Sequence, residues 1–169
     1  EIARRLEMKR DTVAYRIKQL EQNGFINGYY AVINYSKIGY NILIRVYIKL
    51  QDTTLEIEQE FIEFLLNQKE TFTIYKTEGD WDIAVGFLGK TLEEFNEFYQ
   101  RIREKYRKYI HSQDIAIFRK YIQYYKNYLV DEKLRDYNSV ITGETETVIV
   151  DNIDLKILRL ISENAKFLY

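Results

Sequence analysis

Apolar positions along this chain change their spacing several times, and each change predicts a new element. Ile2, Ala3 and Leu6 give a short first helix its apolar side. Val13, Ile17 and Leu20 follow at i, i+4 and i+7, one stripe along a second helix. Gly24 stops that helix, since glycine takes the left-handed cap without penalty. Residues 25–33 are rich in aromatic and β-branched side chains, as a short hairpin or wing would be.

From Gly39 the period becomes two. Ile42, Ile44, Val46, Ile48 and Leu50 alternate with Leu43, Arg45, Tyr47 and Lys49, the pattern of a half-buried strand. Helical spacing returns over 54–68 with Ile57, Phe61, Phe64 and Leu65 on one face. Strands are predicted near 71–78 and 82–88 around a tight turn at Glu78-Gly79-Asp80-Trp81. A second amphipathic helix at about 91–106 carries Leu92, Phe95, Phe98, Ile102 and Tyr106, and a last strand runs from about Ile110 to Tyr121 or beyond. The order β-α-β-β-α-β predicts an α+β, ferredoxin-like sandwich, with one antiparallel sheet and two helices on one face. The other sheet face carries Leu43 and Tyr47 on one strand and Ala84, Gly86 and Leu88 on another. Such a surface is too apolar for water, and isologous packing against a second copy would cover it.

Residues 130–150 are polar and include Thr142-Gly143-Glu144, which reads as a linker or a peripheral extension. Ile153, Ile157, Leu158 and Ile161 then begin a further amphipathic helix.

Bulk composition narrows the function classes. The chain has 169 residues, no Cys and no Pro, 16 Tyr and a net charge of −1. There is neither a disulfide framework nor a thiol metal site, which fits a cytoplasmic protein. No apolar run approaches bilayer length, so no membrane partner is expected. Abundant Lys and Glu fit a thermophile or an AT-rich genome equally. Net charge offers no argument for nucleic acid, so local charge must carry one. Over 1–24 there are six basic residues (Arg4, Arg5, Lys9, Arg10, Arg16 and Lys18) against four acidic ones, a balance of +2. With the apolar stripe turned inward, Thr12, Arg16 and Gln19 face outward with Tyr15 beside them, and Lys9 and Arg10 lie at the helix start. A recognition helix presents its N-terminal residues to base edges while surrounding Lys and Arg hold phosphates. A solvated helix pair is the alternative reading of the same residues.

The stretch from Glu1 to Tyr40 resembles the second helix, recognition helix and wing of the Lrp/AsnC transcriptional regulators. The resemblance rests on Thr12-Val13, Arg16-Ile17, Leu20, Gly24 and Ile26. Tyr75, Gly79 and Asp82 resemble the Tyr-x-x-x-Gly-x-x-Asp signature of the same family's effector domain. One departure stands at Lys9, where the family often has a capping Ser; Asp11 is the other candidate cap. Residues 153–166 resemble the family's first DNA-binding helix.

The resemblance implies four segments. Residues 1–35 would be a partial winged helix-turn-helix without its first helix, and 36–129 a ferredoxin-like domain for effector binding and oligomerisation. Residues 130–150 would be a linker and 151–169 the start of a second helix-turn-helix. A trimmed piece of a longer protein, or flanking residues left out, accounts for this order; a permuted unit in which 151–169 completes the domain begun at Glu1 is the third reading. The implied partners are double-stranded DNA, read by Lys9, Arg10, Thr12, Tyr15, Arg16 and Gln19, and further copies of the chain. An amino acid is the implied effector, held at Thr77, Glu78, Gly79, Asp80, Trp81 and Asp82, where turn amides and carboxylates can meet both charges of a zwitterion. No cofactor or metal is implied. The alternative is an enzyme resembling sirohaem decarboxylases, which share this two-domain plan. Its pocket would need His or Arg, and His111 is the single His. Tyr121, Tyr124, Tyr125 and Tyr128 can either stack on bases or pack at an interface. Glu56, Glu58, Glu60 and Glu63 read as a solvated helix face.

Overall fold

The computed structural model describes residues 1–29, 31–123, 140–143 and 146–163. The elements run α1 (Ile2–Arg5), α2 (Arg10–Gln22), a short 3-10 helix (Tyr35–Ile38), β1 (Ile42–Leu50), α3 (Leu55–Leu66), β2 (Thr71–Lys76), β3 (Ile83–Gly89), α4 (Leu92–Tyr106), a second 3-10 turn (Arg107–Tyr109), β4 (Ile110–Phe118), β5 (Lys120–Gln123), β6 (Val140–Gly143) and α5 (Asn152–Glu163). They form two compact units, one of residues 1–33 with 150–169 and one of residues 34–149.

In the larger unit the four main strands lie in the order β2-β3-β1-β4, every neighbour antiparallel. This is the predicted ferredoxin-like sheet. Thr54 and Thr91 start the two helices: their hydroxyls accept from the amides of Ile57 (3.4 Å) and Glu94 (3.2 Å). Glu94 reaches back to the Lys90 amide at 2.8 Å, so α4 begins with donors satisfied on both sides of its cap. One face of the sheet supplies Ile44, Val46, Ile48, Ile83, Val85 and Phe87 to the core. The helices answer with Phe61 and Leu65 from α3 and Phe95, Phe98, Ile102 and Tyr106 from α4.

The opposite face is less bare than the alternation predicts. Leu43 and Ala84 are already buried, at 7% and 3% exposure. Tyr47 lies 6.2 Å from Trp81, and the Arg45 guanidinium lies over the Tyr75 and Phe118 rings. Long side chains thus lean across the small residues of β3 and remove part of the apolar surface from water.

The segment expected as a linker, 130–150, contains β6, which pairs antiparallel with β5 from Lys120↔Gly143 to Gln123↔Val140. The predicted final strand is accordingly two strands in two sheets. Val148 donates its amide to the Lys37 carbonyl at 2.7 Å, so the larger unit continues to residue 149 rather than ending near 129. Tyr124, Tyr125 and Tyr128 lie outside the described residues.

In the smaller unit α5 opens with a reciprocal cap. Asp151 accepts from the amides of Ile153 (2.7 Å) and Asp154 (2.8 Å), and Asp154 accepts from the Asp151 amide (3.1 Å). The Ala31 amide donates to the Ile161 carbonyl at 3.0 Å, which ties this helix to the chain beyond α2. The half-buried positions of α5 are Leu155, Leu158 and Ile161, while Ile153 and Ile157 are exposed. Among the described residues 25–34 there is no strand, so the hairpin form of the wing is absent there; the Ala31 amide is spent on α5 instead of a ladder. No helix among the described residues is long and apolar enough to cross a membrane.

Candidate functional site

Two places carry the residues singled out by sequence. The first is α2. It begins at Arg10, with Lys9 as an N-cap whose side chain makes no capping bond. Asp11 sits in the first turn and does not move the start later, as a cap at Asp11 would have done. Val13 is the buried anchor of the helix. Gly24, at φ +73°, closes the other end, and the Phe25 amide donates to the Leu20 carbonyl at 2.9 Å.

Lys9, Arg10, Thr12, Tyr15 and Arg16 are all exposed. Gln19 is not fully outward: it is half-buried, and its amide donates to the Gln22 side chain at 3.1 Å. Leu20, expected inward, is 42% exposed. On α1, Arg4 and Arg5 both bond Glu1, at 2.8 and 3.1 Å, so a single carboxylate offsets one of their two charges. Among the described residues Lys9, Arg10, Arg16 and Lys18 have no ion-pair partner. Asp11 is the acid in the N-terminal half of α2, and against Lys9, Arg10 and Arg16 it leaves that edge net cationic. A phosphate backbone is the polyanion such an edge fits.

The second place is the β2–β3 turn. Gly79 has φ +122°, which a side chain would resist. Thr77 closes the turn twice: its amide donates to the Asp82 carbonyl at 2.9 Å and its hydroxyl to the Trp81 carbonyl at 2.6 Å. Asp82 ties the turn to β1. One carboxylate oxygen accepts from Lys49 Nζ at 2.9 Å and the other from the Leu50 amide at 2.7 Å. The same ammonium donates to the Gly79 carbonyl at 2.9 Å. Burial works against the Asp82 charge, yet the Lys49 ammonium and the Leu50 amide outweigh it and hold the carboxyl below the usual aspartate range.

Sequence reasoning named Asp82 but missed Lys49, which it read only as an alternating strand residue. The signal was a cation at the end of β1, and nothing local links it to a turn 30 residues on. With both oxygens engaged, Asp82 is a strut of the turn. The side chains left open are Glu78 and Asp80, both exposed. The amides of residues 78–81 make no hydrogen bond among the described residues. Trp81 lies back against Tyr47 rather than across the turn.

Asp82→Asn is expected to cost about 1–3 kcal/mol, the usual loss when a charged partner of an amide and an ammonium is removed. The sign with pH follows from the depressed carboxyl. Its contribution is complete above the unfolded aspartate value, about 3.9, and fades as pH falls through the lower folded value. Urea denaturation at pH 7 and in acid checks both: the two proteins should differ at pH 7 and converge in acid.

His111 is exposed, with Nδ1 3.1 Å from the Gln51 side-chain oxygen. Glu58 and Glu60 are not simply solvated; they pair with Lys76 (3.4 Å) and Lys105 (2.9 Å). No cluster of three or more potential metal ligands occurs among the described residues.

A short helix pair with a cationic edge and a ferredoxin-like α/β domain with a clamped turn define a class, the two-part helix-turn-helix protein. No protein-family model matches the chain. It is similar to the HTH-type transcriptional regulator FL11 of Pyrococcus furiosus, with 32% identity over 102 residues, 60% of this chain and 66% of that protein. It is similar also to an HTH-type transcriptional regulator of Pyrococcus abyssi, with 31% identity over 102 residues, 60% of this chain and 67% of the relative. The chain thus spans about two thirds of the length of these relatives. Among solved structures, an AsnC family transcriptional regulator from Agrobacterium tumefaciens aligns with TM-score 0.67 and 21% identity, over 73% of this chain and 80% of that one. A Neisseria meningitidis transcriptional regulator in complex with L-methionine aligns with TM-score 0.63 and 14% identity, over 70% and 75%. The chain belongs to the Lrp/AsnC family of HTH-type transcriptional regulators. These relatives and structural neighbours are regulators and not enzymes, which removes the decarboxylase alternative.

Proposed function

We propose that this protein binds double-stranded DNA through α2 and that a small effector, an amino acid, modulates its assembly or its DNA affinity. The observation that carries the DNA reading is the exposed, unpaired row Lys9, Arg10 and Arg16 on the N-terminal half of α2. Thr12 and Tyr15 stand on the same exposed stretch. Gln19 contributes less than its spacing implied, because Gln22 engages it. The contact between Ala31 and Ile161 supports α5 as a supporting helix of this same module, in place of the start of a separate one. Titration of labelled duplex at rising salt tests the reading. Affinity should fall steeply and linearly on logarithmic axes as phosphate-bound cations are replaced by salt. Affinity independent of salt, or no binding at low salt, would overturn it.

The effector reading places the ligand at the turn 77–82. Its support is the set of open amides at residues 78–81 beside the exposed Glu78 and Asp80. A structural neighbour was crystallised with L-methionine, which gives the ligand for that protein. Here the amides would take the carboxylate and Asp80 or Glu78 the ammonium, while Asp82 holds the frame. Calorimetry against the twenty amino acids should find at least one ligand, weakened by Asp80→Ala. Equal binding to both proteins would move the site elsewhere, and no binding would remove it.

Self-association belongs to the same reading. Tyr47, Tyr75 and the partly covered face of β1, β3 and β4 form the surface a second copy would meet. A ligand that binds the assembled state better than the free chain shifts assembly by that difference in affinity.

A further inference from the structure

The open face of the sheet carries two charges of opposite sign, each without an ion-pair partner among the described residues. Strand register sets its rows. One row crosses Asp114, Tyr47, Ala84 and Tyr75; the next crosses Ala116, Arg45, Gly86 and Thr73. Arg45 is half-buried near the middle of this face, its guanidinium 4.9 Å from the centre of the Tyr75 ring and 5.4 Å from that of Phe118. Its Nε is buried and has no hydrogen-bond partner, and no carboxylate pairs with it among the described residues. A buried guanidinium nitrogen without an acceptor is costly, and a surface that keeps one is incomplete as it stands.

Asp114 is the acid on this same face. It is exposed on the edge strand, in register with Tyr47, one row from Arg45, and has no cationic partner among the described residues. The two are diagonal neighbours, a spacing of roughly 7–8 Å that the single chain does not close into an ion pair.

We infer that Arg45 and Asp114 pair between two copies of this chain, Arg45 of each with Asp114 of the other. The inference rests on the self-association proposed above and names what sets its register. In an isologous contact, whatever residue i gives to residue j is returned by symmetry. A two-fold axis through the Arg45 row would set guanidinium against guanidinium. An axis passing between the Arg45 and Asp114 rows relieves that repulsion and makes the contact twice. It also supplies the acceptor that the Arg45 nitrogen lacks. The aromatic rings beside Arg45 exclude water from the pair and so strengthen it. The face thus accepts its own copy by charge as well as by apolar area, and disfavours a homologue that lacks either partner.

Charge exchange tests this in the intact chain. Sedimentation equilibrium should show self-association of the unchanged protein. Arg45→Glu and Asp114→Arg should each weaken it by about tenfold or more, and the double variant should recover most of that loss. Asp114 is exposed in the single chain, so its variant should keep the parent's far-ultraviolet circular dichroism and so be folded, whatever its assembly. If Arg45→Glu does not fold, Arg45→Met with Asp114→Asn forms the cycle, and the two losses should then fall well short of adding. An unchanged protein that stays monomeric overturns both the self-association and the pair. A protein that associates, but whose single variants associate equally well or whose double variant is no better than either, overturns the pair alone.

Discussion

Phe98→Ala is expected to destabilise the unit of residues 34–149 by about 3–5 kcal/mol, a large share of what a domain of this size holds. Phe98 has no exposed surface and lies mid-way along α4. Its ring sits 5.4 Å from that of Phe87 on β3, which in turn meets Phe95 at 5.4 Å. Truncation leaves a ring-sized void between helix and sheet, and neighbours held by strand pairing on one side cannot collapse to fill it. Leu92→Ala is the control. It lies on the same helix but is 50% exposed, and should change stability by no more than about 0.5 kcal/mol. Urea denaturation of both variants reads the difference. Equal midpoints would mean that the assigned core face of α4 is wrong.

Arg16→Ala is expected to lower affinity for the preferred DNA site by about 1–3 kcal/mol, roughly 5- to 150-fold, and to relax the choice of base at one position. Arg16 is exposed two turns into α2 and carries no internal ion pair, so its five donors are available to a base edge. Lys9→Ala and Arg10→Ala should behave differently. If they hold phosphates, as Lys and Arg flanking a recognition helix do, they should weaken all sequences alike while reducing the logarithmic salt slope by about one each. Anisotropy titrations at several salt concentrations separate the two behaviours. A uniform loss from Arg16→Ala would reassign it to the backbone.

The alternating run from Ile42 to Leu50 was legible because strand side chains point to opposite faces whatever lies beyond them. The two helices of the larger unit were legible for the same kind of reason, down to the buried Phe95, Phe98, Ile102 and Tyr106. What failed needed a partner distant in sequence. Leu20 falls on the stripe of Val13, but a stripe shows which side of a helix is apolar and not how far along its length a neighbour covers it. Strand β6 is four residues inside a polar stretch, too short for period two to stand out, and its pairing with β5 fixes it. The turn at 77–82 was visible through Gly79, whereas the Lys49 clamp that spends the Asp82 carboxylate spans 33 residues. The orphaned Arg45 nitrogen was invisible for the same reason, since its row exists only once four strands are in register.

Selection of bound duplexes from a random pool, run in parallel with the unchanged protein and the Arg16→Ala variant, decides whether α2 reads DNA. The unchanged protein should enrich a defined sequence, and the variant should lose preference at one or more of its positions. Recovery of no enriched sequence, or the same sequence with undiminished preference from both proteins, would contradict DNA reading by α2.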